Sequence, residues 1–260
     1  MTDRTPASTS SSTLAQRALT SLVIAVATAI VIVTASLLPF LNPVWVGFEQ
    51  RRTEALAWTR FSDPELTAVT NAILADLVLG PGTFDVGLAG EPVLNERERG
   101  HMRDVRTVFL SLWALAAGAA AGLVILWGRA APAAAHRRRA AYWRAVRGGA
   151  SSLAIAVIGL GAIAVLAFDV LFEVFHGLLF AGGGYTFDPG TERLVQLFPF
   201  RFWQETAIVV GAVIVLVCGA VALTARRAGD AMVVRHDPAD RPDQALGAVT
   251  GTAAETEART

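Results

Sequence analysis

The chain has 260 residues; 53% are hydrophobic, yet 17% are charged and the formal net charge is zero. With a mean hydropathy of +0.49, this fits apolar spans joined by polar loops better than a soluble globule, and the neutral balance gives no reason to expect nucleic-acid binding. The single cysteine, Cys218, lies in an apolar run, so it forms no intramolecular disulfide and says nothing about redox compartment.

In chain order, residues 1–16 are rich in Ser and Thr and read as a disordered tail. A helix crossing a bilayer needs about 20 apolar residues, and the run 18–41 is the first to qualify. Arg4 and Arg17 precede it, as in a signal peptide, but its core exceeds the roughly 7–15 residues of a signal h-region, so an uncleaved anchor is expected. Pro39 and Pro43 end the span, because proline cannot continue the hydrogen-bond ladder.

The segment 42–106 is predicted to contain three elements. Ser62-Asp63-Pro64-Glu65 has the spacing of a capping box with proline in the first turn. Leu66, Val69, Ile73 and Leu77 then recur at helical spacing until Gly80-Pro81-Gly82, which predicts an amphipathic helix packed on the protein or lying on the membrane. Phe84 to Leu94 alternates weakly around Gly87 and Gly90, as a short hairpin does. Asn95-Glu96-Arg97-Glu98 repeats the capping spacing, and the helix it opens is predicted to run on into the second span, 107–127. His101 then sits about six residues, or ~9 Å, above the apolar run, with Glu98 and Asp104 three residues to either side as candidate partners for its ring. Within the span, Gly118 and Gly122 form a small-xxx-small pair suited to close helix packing.

The loop 128–149 carries Arg129, Arg137, Arg138, Arg139, Arg144 and Arg147 with no acid, whereas the seven arginines of 42–106 are offset by ten acids. Arg226 and Arg227 follow the last span directly. The positive-inside rule places 128–149 and both tails in the cytoplasm, and 42–106 and 173–205 outside. The third span, 150–172, ends with Asp169; Glu173 and His176 follow at spacings of four and three, on one helical face. An ionisable residue within a span normally faces the bundle interior and is a functional candidate. His136 and His236 fall on the inner side, leaving His101 and His176 at matched depth on the outer side. The fourth span is 206–225, and 228–260 reads as a second disordered tail. The fold expected is an all-α integral membrane protein, a four-helix transmembrane bundle with both termini inside and a small extracytoplasmic cap.

Four motifs carry a family resemblance. They are Glu98-x-x-His101-Met102-x-Asp104-Val105, Phe172-x-x-Phe175-His176-x-x-x-Phe180, Tyr185-x-Phe187-Asp188-Pro189 and Leu197-Phe198-Pro199-x-x-Phe202-Trp203. In order and placement they resemble a bacterial membrane-protein family that includes lipoprotein intramolecular transacylase, Lit; the likeness covers about Arg17 to Arg227. The resemblance implies an acyltransferase of the plasma membrane with its site on the extracytoplasmic face. It would move the sn-2 acyl chain of a diacylglyceryl lipoprotein to the amine of the N-terminal cysteine, without a cofactor. Membrane lipids and diacylglyceryl lipoproteins are the implied partners, and the family's two functional histidines map onto His101 and His176.

Two histidines suit this chemistry, since the amine must lose a proton and the departing glycerol oxygen must gain one. Tyr185 or Arg103 is a candidate donor to the oxyanion, and Glu98, Asp104, Asp169 and Glu173 are candidate supporting carboxylates. Gly182-Gly183-Gly184-Tyr185 departs from the family pattern, which often has Asn-Asp-x-Trp there. Two other readings stand beside this one. The paired Glu-x-x-His motifs, with Glu205 and Glu49, are the kind of ligands a zinc or di-iron bundle uses. The chain would alternatively serve as a lipid- or partner-binding scaffold.

Overall fold

The computed structural model describes residues 8–130, 136–180 and 184–234. Four helices are long and apolar enough to cross a membrane: α1 (Ser8–Leu37), α5 (Glu96–Ala130), α6 (His136–Leu179) and α8 (Phe200–Val234). α5, α6 and α8 overrun the apolar segments expected from sequence at both ends, because helical backbone continues into the polar flanks; α1 starts earlier than expected but ends at Leu37, where a 3-10 turn carrying Pro39 takes over. The tails beyond these helices, and Gly182 and Gly183, lie outside the described residues. In the bundle α6 packs along α8 and α1, and α1 packs against α5.

The remaining elements form a layer at one end of this bundle. They are α2 (Pro43–Arg52), α3 (Ala55–Thr59), α4 (Asp63–Val78), the two-residue strands β1 (Gly87–Leu88) and β2 (Glu91–Pro92), and α7 (Arg193–Leu197). Glu65 accepts from both the N–H and the hydroxyl of Ser62, which starts α4 as the capping spacing predicts. Leu66, Val69, Ile73 and Leu77 are all buried, so the apolar stripe of α4 faces protein and not lipid. They form one core with Phe84, Leu94, Met102, Leu197 and Phe202, in which each large aliphatic side chain contributes roughly 1.5–3 kcal/mol. The predicted hairpin is present and antiparallel, turning at Ala89 and Gly90 with both φ positive, the twist that suits a two-residue loop. Gln50 ties three elements together: its amide donates to the Leu197 carbonyl at 3.0 Å and accepts from the Thr70 hydroxyl at 2.9 Å.

Close packing in the spans falls on a different glycine from the expected pair. Gly118 and Gly122 face open space, and Gly118 lines an apolar groove between α1 and α5. The close approach is at Gly149 of α6, where an added Cβ would sit 2.4 Å from the Ala25 carbonyl oxygen of α1. That obstacle is backbone, so the helices must separate. Gly149→Ala is expected to destabilise by about 1–3 kcal/mol, as overpacking does, while Gly118→Ala is neutral. Thermal unfolding of the purified variants measures both.

Candidate active site

Both histidines stand at the end of the bundle that carries the layer, because α5 starts there and α6 finishes there. The start of α5 is fixed by a reciprocal cap: Asn95 Oδ1 accepts from the Glu98 N–H at 2.9 Å, and Glu98 Oε2 accepts from the Asn95 N–H at 2.7 Å. Glu98 Oε1 reaches onward and accepts from the Leu194 N–H at 2.6 Å, at the start of α7. Glu98 is therefore a buried tie between α5 and the 184–199 segment. Its two oxygens are taken by backbone, and His101 points elsewhere.

His101 lies on α5 one turn beyond this cap, and its ring is 6.1 Å from that of His176, the planes inclined by only 23°. Aromatic rings surround the pair. His101 meets Phe180 at 4.8 Å and the edge of Phe187 at 5.4 Å. His176 meets Phe172 at 4.0 Å, Tyr185 at 5.2 Å and Phe175 at 5.3 Å. Nδ1 of His176 lies 2.8 Å from the Phe172 carbonyl oxygen. A carbonyl accepts only, so Nδ1 carries the proton and Nε2 keeps its lone pair. Phe172 packs in turn on Phe200, at the start of α8.

The other sequence candidates fall around this centre. Tyr185 reaches it. Asp104 is exposed, and among the described residues it makes no hydrogen bond to His101, although its charge acts on that ring. Arg103 is exposed and donates to Glu96 at 2.7 Å. Asp169 and Glu173 are exposed on α6, beyond a break in helical geometry at Ala167, and among the described residues neither is hydrogen-bonded to His176. The expectation that Asp169 points into the bundle is thus corrected; the last turns of α6 stand at the rim, where the carboxylate stays exposed. No three of His, Cys, Asp and Glu come together in a metal-holding group among the described residues, and the Glu98 carboxylate is already occupied by backbone donors.

Arg97 is a site residue the sequence did not single out. Its guanidinium donates to the Thr186 carbonyl at 2.7 Å, pairs with Glu192, and lies 4.7 Å over the Phe187 ring. Glu192 also accepts from the Asp188 N–H at 2.7 Å; burial raises its carboxyl, but the hydrogen bonds from Arg97, Asp188 and Asn95 together outweigh that and hold it below the usual carboxylate range. This network seats Phe187 against His101.

The geometry can be compared with known proteins. In meso structures of the membrane-integral lipoprotein intramolecular transacylase Lit from Bacillus cereus share the fold. One aligns with a TM-score of 0.62 at 17% identity, over 85% of this chain and 97% of that one. A variant with a histidine replaced by alanine gives 0.60 at 17% identity over 84% and 96%. A variant with a histidine replaced by arginine gives 0.59 at 16% over 85% and 93%. A comparison with curated protein sequences gives no significant match. The family model for lipoprotein intramolecular transacylase Lit matches residues 18–203, most of the membrane domain, and on that match the chain belongs to the Lit family.

Proposed function

We propose that this chain transfers an acyl chain within a diacylglyceryl lipoprotein, from the sn-2 glycerol oxygen to the α-amine of the N-terminal cysteine, with His101 and His176 moving the protons. The observation that carries the proposal is the facing of the two imidazoles at 6.1 Å inside an aromatic enclosure. At that separation one substrate head group can reach a nitrogen of each ring, as a shared general acid and base require.

The steps balance as follows. The arriving α-ammonium gives a proton to neutral His101. The free amine attacks the sn-2 ester carbonyl, and His176 Nε2 takes the proton released from the attacking nitrogen. The bond from the carbonyl carbon to the glycerol oxygen breaks, and His101 returns its proton to that oxygen. The products are an amide, a glycerol hydroxyl and one proton, which His176 passes to water. The Tyr185 hydroxyl is the donor proposed for the oxyanion, since Arg103 is engaged by Glu96. Because donor and acceptor belong to one molecule, the site needs only to fold the substrate so that amine and ester meet.

The assay is incubation of purified protein with a diacylglyceryl lipopeptide bearing a free amine, followed by mass spectrometry of the N-terminus. Unchanged mass with a shifted acyl position supports the proposal; an N-acetylated substrate must stay inert. Release of free fatty acid alone, or no reaction, overturns it.

The side of the membrane is part of the proposal, and the arginine distribution supports it. Native Cys218 is buried, so the background to thiol labelling is low. Cysteine at Thr83 or Thr191, both exposed in the end layer, is expected to react with an impermeant reagent in intact cells. Cysteine at Gly128, where the added side chain meets open space, is expected to stay protected. Labelling at residue 128 would invert the orientation.

A further inference from the structure

A largely apolar pocket with a few charged groups opens on the other side of α8 from the histidines. At 100° per residue, Phe200 and Gly211 lie on one face of α8, and both meet α6, through Phe172 and Val157. Glu205 and Val209 fall on the opposite side of that helix, and there, with α2, they enclose a pocket of about 390 Å³. Its walls are Trp45, Phe48, Ile208 and Val209, and its polar floor is Glu49, Arg52 and Glu205.

The floor is unlike a finished ion-pair network. Arg52 donates twice to Glu205 Oε2, at 3.1 and 2.6 Å, and Arg201 donates to Glu205 Oε1 at 2.7 Å. Glu49 is only 2% exposed, and its Oε2 lies 3.6 Å from Arg52 Nε. Its other oxygen, Oε1, is buried with no hydrogen-bond partner, and so is the indole Nε1 of Trp45 in the same wall. A buried carboxylate oxygen and a buried N–H each lose about 1–3 kcal/mol when left unpaired. They leave the floor with a spare acceptor and the wall with a spare donor.

The shape of the pocket narrows that partner. Phe48 and Ile208 are more than half exposed and line it on the apolar side, at the level where α8 enters its membrane run. The polar floor stands beside Arg52 and Arg201, both exposed enough to reach a phosphate. A free solute would not need the apolar wall, and a simple acyl chain would leave the floor unpaired.

We propose that this pocket binds the head group of an ethanolamine-type phospholipid, its primary ammonium on Glu49 and its phosphate on the Arg52–Arg201 side, with an acyl chain along Phe48 and Ile208. A quaternary ammonium has no N–H to give Glu49, and a head group with only hydroxyls offers no cation. Burial, then the adjacent Glu205 carboxyl, pushes Glu49 up to about 7, while Arg52 and Arg201 oppose the shift. A group with a raised folded-state pKa holds its proton below that value, so the ammonium must displace a proton from Glu49 at lower pH. Binding is then expected to strengthen as pH rises through about 7 and to level off above it. Glu205, Arg52 and Arg201 are the charged groups facing Glu49 from α2 and α8.

The test uses the full chain in detergent micelles doped with dioleoyl phosphatidylethanolamine, phosphatidylcholine or phosphatidylglycerol. The readout is the shift in Tm at pH 6 and pH 8. Phosphatidylethanolamine is expected to raise Tm by about 5 °C more than phosphatidylcholine at pH 8 and by less at pH 6. Glu49→Gln matches the protonated side chain in size and should fold, yet lose both the preference and its pH dependence. Trp45→Phe, which removes the indole N–H and part of the wall but keeps an aromatic ring against Phe40, should lessen the preference, and His101→Gln should leave it intact, separating this site from the acyl-transfer reading. Equal shifts with ethanolamine and choline lipids, a larger shift with phosphatidylglycerol, displacement by a free-amine lipopeptide, or a preference that survives both Glu49→Gln and Trp45→Phe would each overturn it.

Discussion

His101→Gln and His176→Gln are each expected to lower the rate of lipopeptide conversion by about 10²–10⁴-fold, the usual loss when a general acid or base is removed. Glutamine retains a hydrogen-bonding amide of similar reach but cannot exchange a proton near neutral pH. Helicity and Tm should change little, because neither ring is fully buried and the fold does not hang on either. The double variant should be only slightly worse than either single one, since each proton transfer is useless without the other. His176 carries a further expectation. Its Nδ1 is anchored on the Phe172 carbonyl, so a methyl group on Nε2 would block the reacting lone pair while leaving the anchor intact. Chelators should leave the rate unchanged, because imidazole acid–base chemistry needs no metal. Full activity in either single variant, or inactivation by chelation that metal restores, would sink the two-histidine reading.

Where local chemistry determines local structure, the sequence was readable. The four spans followed from apolar length. The α4 start and the α5 start followed from Ser62/Glu65 and Asn95/Glu98, because a cap is satisfied within four residues. The pairing of His101 with His176 followed from depth: two antiparallel spans joined by a short loop bring equal depths together. The short elements of the end layer were not readable. Glu54 and Arg60 bound α3 in left-handed conformation without glycine to signal it. The last turn of α2 carries Glu49 and Gln50, buried polar residues that break an apolar stripe. Asn42 does cap α2, accepting from the Val44 and Trp45 N–H groups, but Pro43 beside it reads equally well as the end of the preceding span. The Arg97–Glu192 tie joins residues far apart in sequence, and nothing local in either stretch announces it. Side-chain direction was the hardest to infer. Residues 169, 173 and 176 do share a face, but spacing fixes only their relation to each other and not whether that face meets the bundle or its rim.

Glu98 shows why the cap and the catalytic partner are alternatives. Three residues before His101 it is well placed to orient that ring, yet three residues after Asn95 it is equally well placed to close the cap. The second option also serves the Leu194 N–H, a donor at the start of α7 that no intrahelical acceptor can satisfy. Two charge-assisted hydrogen bonds in a buried setting outweigh one bond to a half-exposed imidazole. Glu98→Ala should therefore strand the Asn95 and Leu194 N–H groups, at about 1–3 kcal/mol each. The expected fall in Tm is roughly 4–24 °C, taking about 2–4 °C per kcal/mol for a chain of this size. Activity should fall as well, because the Arg97–Glu192 network and Phe187 are seated on the same segment, but the pH dependence of the surviving rate should stay as in the parent protein. Glu98→Gln retains one accepting oxygen and should recover part of both stability and rate. A Glu98→Ala protein with an unchanged Tm and a displaced pH–rate profile would instead show the carboxylate acting on His101.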